Sequence, residues 1–212
     1  MRIVDLTRTI EPGMPVFPGD PDPSFRVLAA FERDKCRVRE ITMGSHTGTH
    51  MDAPFHMIKD GTTLDNVPIS RFCGSAVVVP CESCVQGGLI TLETIIRCKG
   101  AEDAEFLLLR TGWERYWGKD AFFKGYPVLD EEAALWIVQK GKKGVGLDVS
   151  SIDAVGGEEE HLHRIILGGG ALIIENLCAL YHLPTGLFDF CALPLKLREA
   201  DGSPVRAAAF IK

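Results

Sequence analysis

Long hydrophobic runs are missing from the 212 residues. Stretches such as Ala171-Leu172-Ile173-Ile174 and Ala76-Val77-Val78-Val79 are strand-sized, far below the ~20 apolar residues that cross a bilayer. A membrane partner is therefore not expected. A secretory leader is missing too: Arg2, Asp5 and Arg8 break up the opening residues and no small-residue cleavage pattern follows, so a cytoplasmic location is expected. There is no excess of positive charge, since 23 Lys+Arg face 29 Asp+Glu for a formal net charge of -6, with the acids spread along the chain. Binding of phosphate backbones rests on clustered positive charge, so no nucleic-acid partner is expected. The chain also lacks G-x-S-x-G, and none of its seven cysteines stands in a recognisable catalytic signature, which argues against a serine or cysteine nucleophile. The cysteines, at 36, 73, 81, 84, 98, 178 and 191, are odd in number and scattered, a usage that fits reduced thiols better than a disulfide framework. Cys81-Glu82-Ser83-Cys84 has the spacing of a zinc knuckle or redox pair but lacks a second half, and is read as two unrelated thiols.

With 46% apolar and 25% charged residues, the chain can bury a substantial core, and its length suits one domain over residues 1–212. The first thirty residues are punctuated by Pro12, Pro15, Pro18, Pro21 and Pro23 and are read as turn and loop, with the part near Phe17 and Pro18 as a pocket wall. Strand-like segments follow at Val38–Met43, Ser75–Pro80, Phe106–Arg110, Val145–Val149, Ala171–Ile174, Phe188–Leu193 and Ala207–Ile211. Helix signals lie at Thr91–Cys98, at Asp130–Lys140, where Asp130 caps and two glutamates favour the helix start, and from about Glu158 to Leu167, ahead of three glycines. Strands alternating with helices predict an α/β fold, and the strand-rich end predicts a mixed, partly barrel-like sheet.

The informative stretch is Ser45–Met57. It gathers three of the six histidines and an aspartate into the pattern H-x-x-x-H-x-D-x-x-x-H, formed by His46, His50, Asp52 and His56. Imidazole plus carboxylate suits zinc, manganese or iron. Gly48 and Pro54 argue against a regular helix, and an irregular backbone lets side chains at unequal spacing converge on one point. A second cluster is His161-Leu162-His163, with Glu175 twelve residues beyond His163, directly after an apolar run. If that glutamate is buried it needs a partner or a metal; if exposed, it is an ordinary strand-end residue.

Together with Arg110-Thr111-Gly112-Trp113, Val145–Asp153 and His163-Arg164 through Leu177, these residues resemble the "cyclase" family of metal-dependent hydrolases, which includes bacterial kynurenine formamidase and isatin hydrolase. The resemblance spans nearly the whole chain. It implies a swivelling β/β/α fold, one or two divalent ions (zinc first, manganese second) and assembly into a homodimer or homotetramer. Position by position, it implies that His46, His50 and Asp52 hold a first metal. Asp52 would bridge to a second held by His163 and Glu175, with His56 as general acid/base. His161 receives no role. Phe17 and Phe55 are expected against a small, aromatic amide substrate, with Trp113 and Trp117 as further wall candidates.

Divalent ions beside Asp52 and Glu175 would draw the pKa of water from about 16 toward ~7 and make hydroxide available at neutral pH. His56 would carry a proton to the leaving nitrogen. The expected activity is hydrolysis of an amide or formamide C–N bond. A metal-dependent lyase, isomerase or cyclase that stabilises an enolate, or a metal-binding protein without turnover, are the other readings of the same residues.

Overall fold

The β-branched and leucine-rich runs read from the sequence pair into one mixed sheet that curls shut. A computed structural model describes residues 1–84, 87–156 and 160–212. In chain order its elements are β1 (Arg2–Asp5), β2 (Ser24–Ala29), α1 (Phe31–Asp34), β3 (Val38–Thr42), β4 (His50–Asp52), β5 (Cys73–Pro80), β6 (Leu89–Ile90), α2 (Leu92–Ile96), β7 (Phe106–Arg110), β8 (Val128–Leu129), α3 (Glu131–Gln139), β9 (Gly144–Leu147), α4 (His161–Gly168), β10 (Leu172–Glu175), β11 (Phe188–Pro194) and β12 (Gly202–Ile211). The order β12-β11-β5-β7-β9-β10-β4 becomes a ring because β4 pairs back onto β12, through Gly202 opposite Asp52 and Pro204 opposite His50. Farther along β12, β1 adds to the same edge. The architecture is thus α/β, built on a closed, mixed, barrel-like sheet. Among the described residues no helix is long and apolar enough to cross a membrane.

The strands β5, β7, β9 and β10 run parallel, which explains why they read as continuous apolar runs: both their faces are covered. Alternate residues go to opposite sides. Val77, Val79, Leu107, Leu109 and Ile173 pack under α3 and α4, whereas Ala76, Val78, Phe106, Leu108 and Ile174 fill the barrel interior with Phe190 and Met51. Burying each such side chain contributes about 1.5–3 kcal/mol. Helix α3 begins where the sequence places it, because the Asp130 side chain accepts from Ala133 N–H at 2.7 Å, a cap contributing about 1 kcal/mol.

Three differences from the sequence reading stand out. The Pro-rich opening holds two strands, β1 and β2. The first depends on pairing with the far C-terminus, which no local pattern reveals. The short strand β4, hidden inside the histidine motif, is the seam of the barrel. The third helix begins at His161; its expected start at Glu158 lies outside the described residues. The expectation of reduced thiols is corrected at one pair. Cys73 and Cys191 oppose one another in the β5–β11 register and are joined as a disulfide, while Cys36, Cys81, Cys84, Cys98 and Cys178 are free. Sequence alone gives no register, so residues 118 apart in the chain offered no sign of pairing.

Candidate metal and catalytic centre

Strand periodicity explains the H-x-D spacing. Residues two apart on a strand share a face, so His50 and Asp52 both look into the centre while Met51 between them is buried in the barrel core. Antiparallel pairing with β10 sets Glu175 directly opposite His50. Gly48 adopts a φ of +65° just before β4, a conformation that costs glycine little. Its carbonyl accepts from His50 Nδ1 and from Asn176 Nδ2, each at 2.9 Å, which leaves His50 Nε2 facing inward. His163 arrives on the first turn of α4. Asp153 anchors that turn by accepting from the Leu162 and His163 backbone N–H groups at 3.0 Å and from His163 Nδ1 at 2.7 Å, so His163 Nε2 also faces inward.

Four buried side chains therefore converge. His50 Nε2 lies 3.3 Å from an Asp52 oxygen and 3.4 Å from a Glu175 oxygen; His163 Nε2 lies 3.7 and 3.5 Å from the other oxygens of the same two carboxylates. The donors fall into two groups that share Asp52, namely His46, His50 and Asp52 and, on the other side, Asp52, His163 and Glu175, each with its ligand atoms within 4.8 Å of one another, so the residues fit one or two divalent cations. The bonding pattern agrees. Asp52 Oδ2 is buried with no hydrogen-bond partner, an arrangement that is costly for a carboxylate unless a cation faces it. Glu175 spends Oε1 on the Ile152 N–H at 2.8 Å. Burial works against charging the imidazoles, yet Asp52 and Glu175 hold His50 well above its usual pKa, and Asp153, Glu175 and Asp52 lift His163 to about 10. The two carboxylates thus favour positive charge in the pocket.

His46 sits one layer out, with Nδ1 2.7 Å from Asp52 Oδ1. The His56 ring is stacked near it, centroids 4.1 Å apart. Burial, aided by the neighbouring His46 and His163, lowers the pKa of His56 below its usual 6.5 against the pull of Asp52 and Asp201. That shift favours the neutral imidazole. His46, His50, Asp52, His56, His163 and Glu175 open onto one cavity of about 230 Å³ lined by Pro15, Val16, Phe17, Met57 and Phe123 on its apolar side and by Ser150, Ser151 and Asn176 on its polar side.

The structure brings His46, His50, Asp52, His56, His163 and Glu175 together, and Phe17 lines their cavity. Phe55 does not: its side chain is 40% exposed and outside the lining. Odd and even positions diverge where Pro54–His56 forms a 3-10 turn, so the turn that brings His56 inward carries Phe55 out. Trp113 is buried in the core against Tyr116 and Tyr126, donating to the Phe122 carbonyl at 3.1 Å, and Trp117 packs on Phe122 under the Arg8 guanidinium. His161 faces solvent beside Glu131. Two polar residues at the centre had no assigned role in the sequence reading. Asp153 lay inside the quoted Val145–Asp153 run, and Asp201 gave no local signal at all.

A closed α/β barrel with a buried imidazole and carboxylate centre is the architecture of a metal-dependent hydrolase. The sequence matches the "Putative cyclase" family over residues 4–154. It is 34% identical over 205 residues to a kynurenine formamidase of Bacillus cytotoxicus, covering 96% of this chain and 95% of that one. Among solved structures it resembles an isatin hydrolase bound to the product analogue thioisatinate (TM-score 0.88, 25% identity, 99% of this chain and 92% of that chain). It also resembles a potential metal-dependent hydrolase with cyclase activity (TM-score 0.83, 30% identity, 100% and 98%). The chain belongs to the cyclase family.

Proposed function

We propose that the whole chain, residues 1–212, is one catalytic unit that hydrolyses the C–N bond of a small aryl amide or formamide, using a divalent cation and His56. The observation that carries this reading is the orphaned, buried Asp52 Oδ2 within reach of His163 and Glu175. His46, His50 and Asp52 would hold one ion, and Asp52, His163 and Glu175 a second. Zinc is the first choice and manganese the second, with one or two ions per chain. A divalent cation bound there supplies Lewis acidity toward a carbonyl and toward water. The chain's own residues do the rest. Neutral His56 stands at the cavity side of the cluster, where it accepts a proton from the attacking water and returns it to the leaving nitrogen. Glu175 and Asp52 are kept ionised by the imidazoles around them, and burial excludes bulk water from the reacting face.

The cavity also limits the substrate. Asp20 and Glu160 stand in its lining, and among the described residues no Lys or Arg does. The five undescribed residues include no basic one either. No side-chain cation is therefore set to meet a substrate anion, and any such recognition would fall to the bound divalent ion. Assembly into a homodimer or homotetramer is part of the same proposal. The β2–β3 hairpin pairs with itself alone and exposes Val27, Leu28, Phe31, Val38 and Ile41. A lone hairpin is marginal in water, and a second copy would cover it; light scattering of the purified protein measures this.

The activity is tested with formyl anilides, isatin and simple lactones in the presence of Zn²⁺, Mn²⁺ or a chelator. Hydrolysis of the amides that stops with chelator and returns with metal is expected. Metal binding without turnover of any amide would overturn the reading.

A further inference from the structure

Asp201 lies on the loop between β11 and β12, outside every ligand set the family resemblance implies. Closure of the barrel puts it at the centre. Because Gly202 pairs with Asp52 across the β12–β4 seam, the residue before Gly202 lands at the mouth of the metal cluster. Its backbone is fixed there, since the Asp201 carbonyl accepts from Ala53 N–H at 2.8 Å. Its side chain has three neighbours. Asp201 Oδ2 accepts from His46 Nε2 at 2.9 Å and from Ser45 Oγ at 3.3 Å, and lies 3.8 Å from His56 Nδ1. Gly202 presses on the same imidazole: a Cβ added there would lie 2.5 Å from His46 Cε1, so only glycine leaves room for the ring.

We infer that Asp201 is a positioning residue that holds His46 by one nitrogen so that the other faces Asp52, and that it keeps the stacked His56 ring in place. The inference rests on reading His46 as a metal ligand. An imidazole free to rotate or to choose its tautomer presents the wrong nitrogen part of the time. A carboxylate on Nε2–H removes that freedom and makes Nδ1 the stronger donor. An ordinary surface ion pair would do none of this. Here, however, the carboxylate touches the ring on the side opposite Asp52, with Gly202 packed against it, so the ring has one orientation available.

The test uses the full-length protein and the variants Asp201→Ala and Asp201→Asn. Zn²⁺ and Mn²⁺ affinities are measured by competition with a chelator, and the His46 nitrogen that carries the proton in Zn²⁺-loaded protein is read from ring ¹⁵N shifts. Asp201→Ala is expected to weaken metal binding on the order of 10–100-fold, to populate both His46 tautomers, and at saturating metal to lower kcat more than it changes KM. Asp201→Asn, whose amide oxygen still accepts from Nε2–H, is expected to recover part of the affinity. The metal-free melting temperature should fall by no more than a few degrees, because Asp201 is partly exposed, its ion pair with His46 is solvent-screened and it buries no core. If wild type binds metal and Asp201→Ala binds it equally well with an unchanged His46 tautomer, this inference falls while the functional reading stands. If wild type binds neither ion, the functional reading itself falls.

Discussion

Asp148 and Asp52 are both carboxylates at the ends of central strands, and both are removed from water, at 0% and 1% exposure. Their partners differ. Asp148 accepts from the Thr111 N–H at 2.9 Å, the Thr111 hydroxyl at 2.6 Å and the Gly112 N–H at 2.8 Å. Burial pushes its carboxyl up to about 6, with those three donors pulling the other way. Asp52 has one oxygen between two imidazoles and the other without a hydrogen-bond partner, 3.7 Å from His163 Nε2. Burial would raise its pKa too, but His50 and His46 together outweigh it and hold the carboxyl well below the usual range. A buried carboxylate saturated by neutral N–H and O–H donors is a brace: Asp148 ties the turn after β7 to the end of β9. One that is left half-partnered among imidazoles stands ready for a cation.

Exchanging each of them for alanine separates the two roles. Asp52→Ala is expected to abolish bound metal and turnover together, measured by elemental analysis and by amide hydrolysis on the same preparation. His56→Ala should keep its metal and lose on the order of 10²-fold in turnover; full activity in that variant would remove His56 from proton transfer. Asp148→Ala should leave three buried donors without an acceptor and cost on the order of 3 kcal/mol, a fall of roughly 10 °C in Tm. Its folded fraction should still bind metal like wild type. If Asp148→Ala lost metal without losing stability, the contrast between brace and cation site would collapse.

The sequence carried the candidate site residues more plainly than the scaffold that aims them. His46, His50, Asp52 and His56 are legible because four chemically matched side chains fall within eleven residues, and Glu175 because a charge ends an apolar run. The parallel strands were legible as well, since Val77–Val79 and Leu107–Leu109 are apolar on both faces. What stayed hidden depends on register. Glu175 opposite His50, Gly202 opposite Asp52 and Cys73 opposite Cys191 are facts of strand pairing between distant segments. So is the role of Asp201, in a loop whose own sequence is an unremarkable Glu-Ala-Asp-Gly. Phe55 and Trp113 mark the opposite failure. Each lies near a motif in the chain, yet a 3-10 turn in one case and burial against Tyr116 and Tyr126 in the other takes the ring away from the cavity.

The smallest expected effect tests the comparison through its sign. Asp148 binds its proton more tightly when folded, with a pKa of about 6 against the ordinary 3.8. Below pH 3.8 it is neutral in both states and its contribution to stability is fully present. As pH rises through 6 the folded protein must ionise a desolvated carboxyl, and that contribution is lost. Unfolding by urea of wild type and Asp148→Asn, both in chelator, should therefore show the stability difference, wild type minus variant, falling by about 2–3 kcal/mol between pH 4 and pH 7. Asp52 has the opposite sign. Its lowered pKa makes its contribution present above 3.8 and lost only as pH falls through the lower folded value. A flat difference for Asp148 would mean that its three donors fully offset burial, and that what sets the two carboxylates apart is the imidazoles alone.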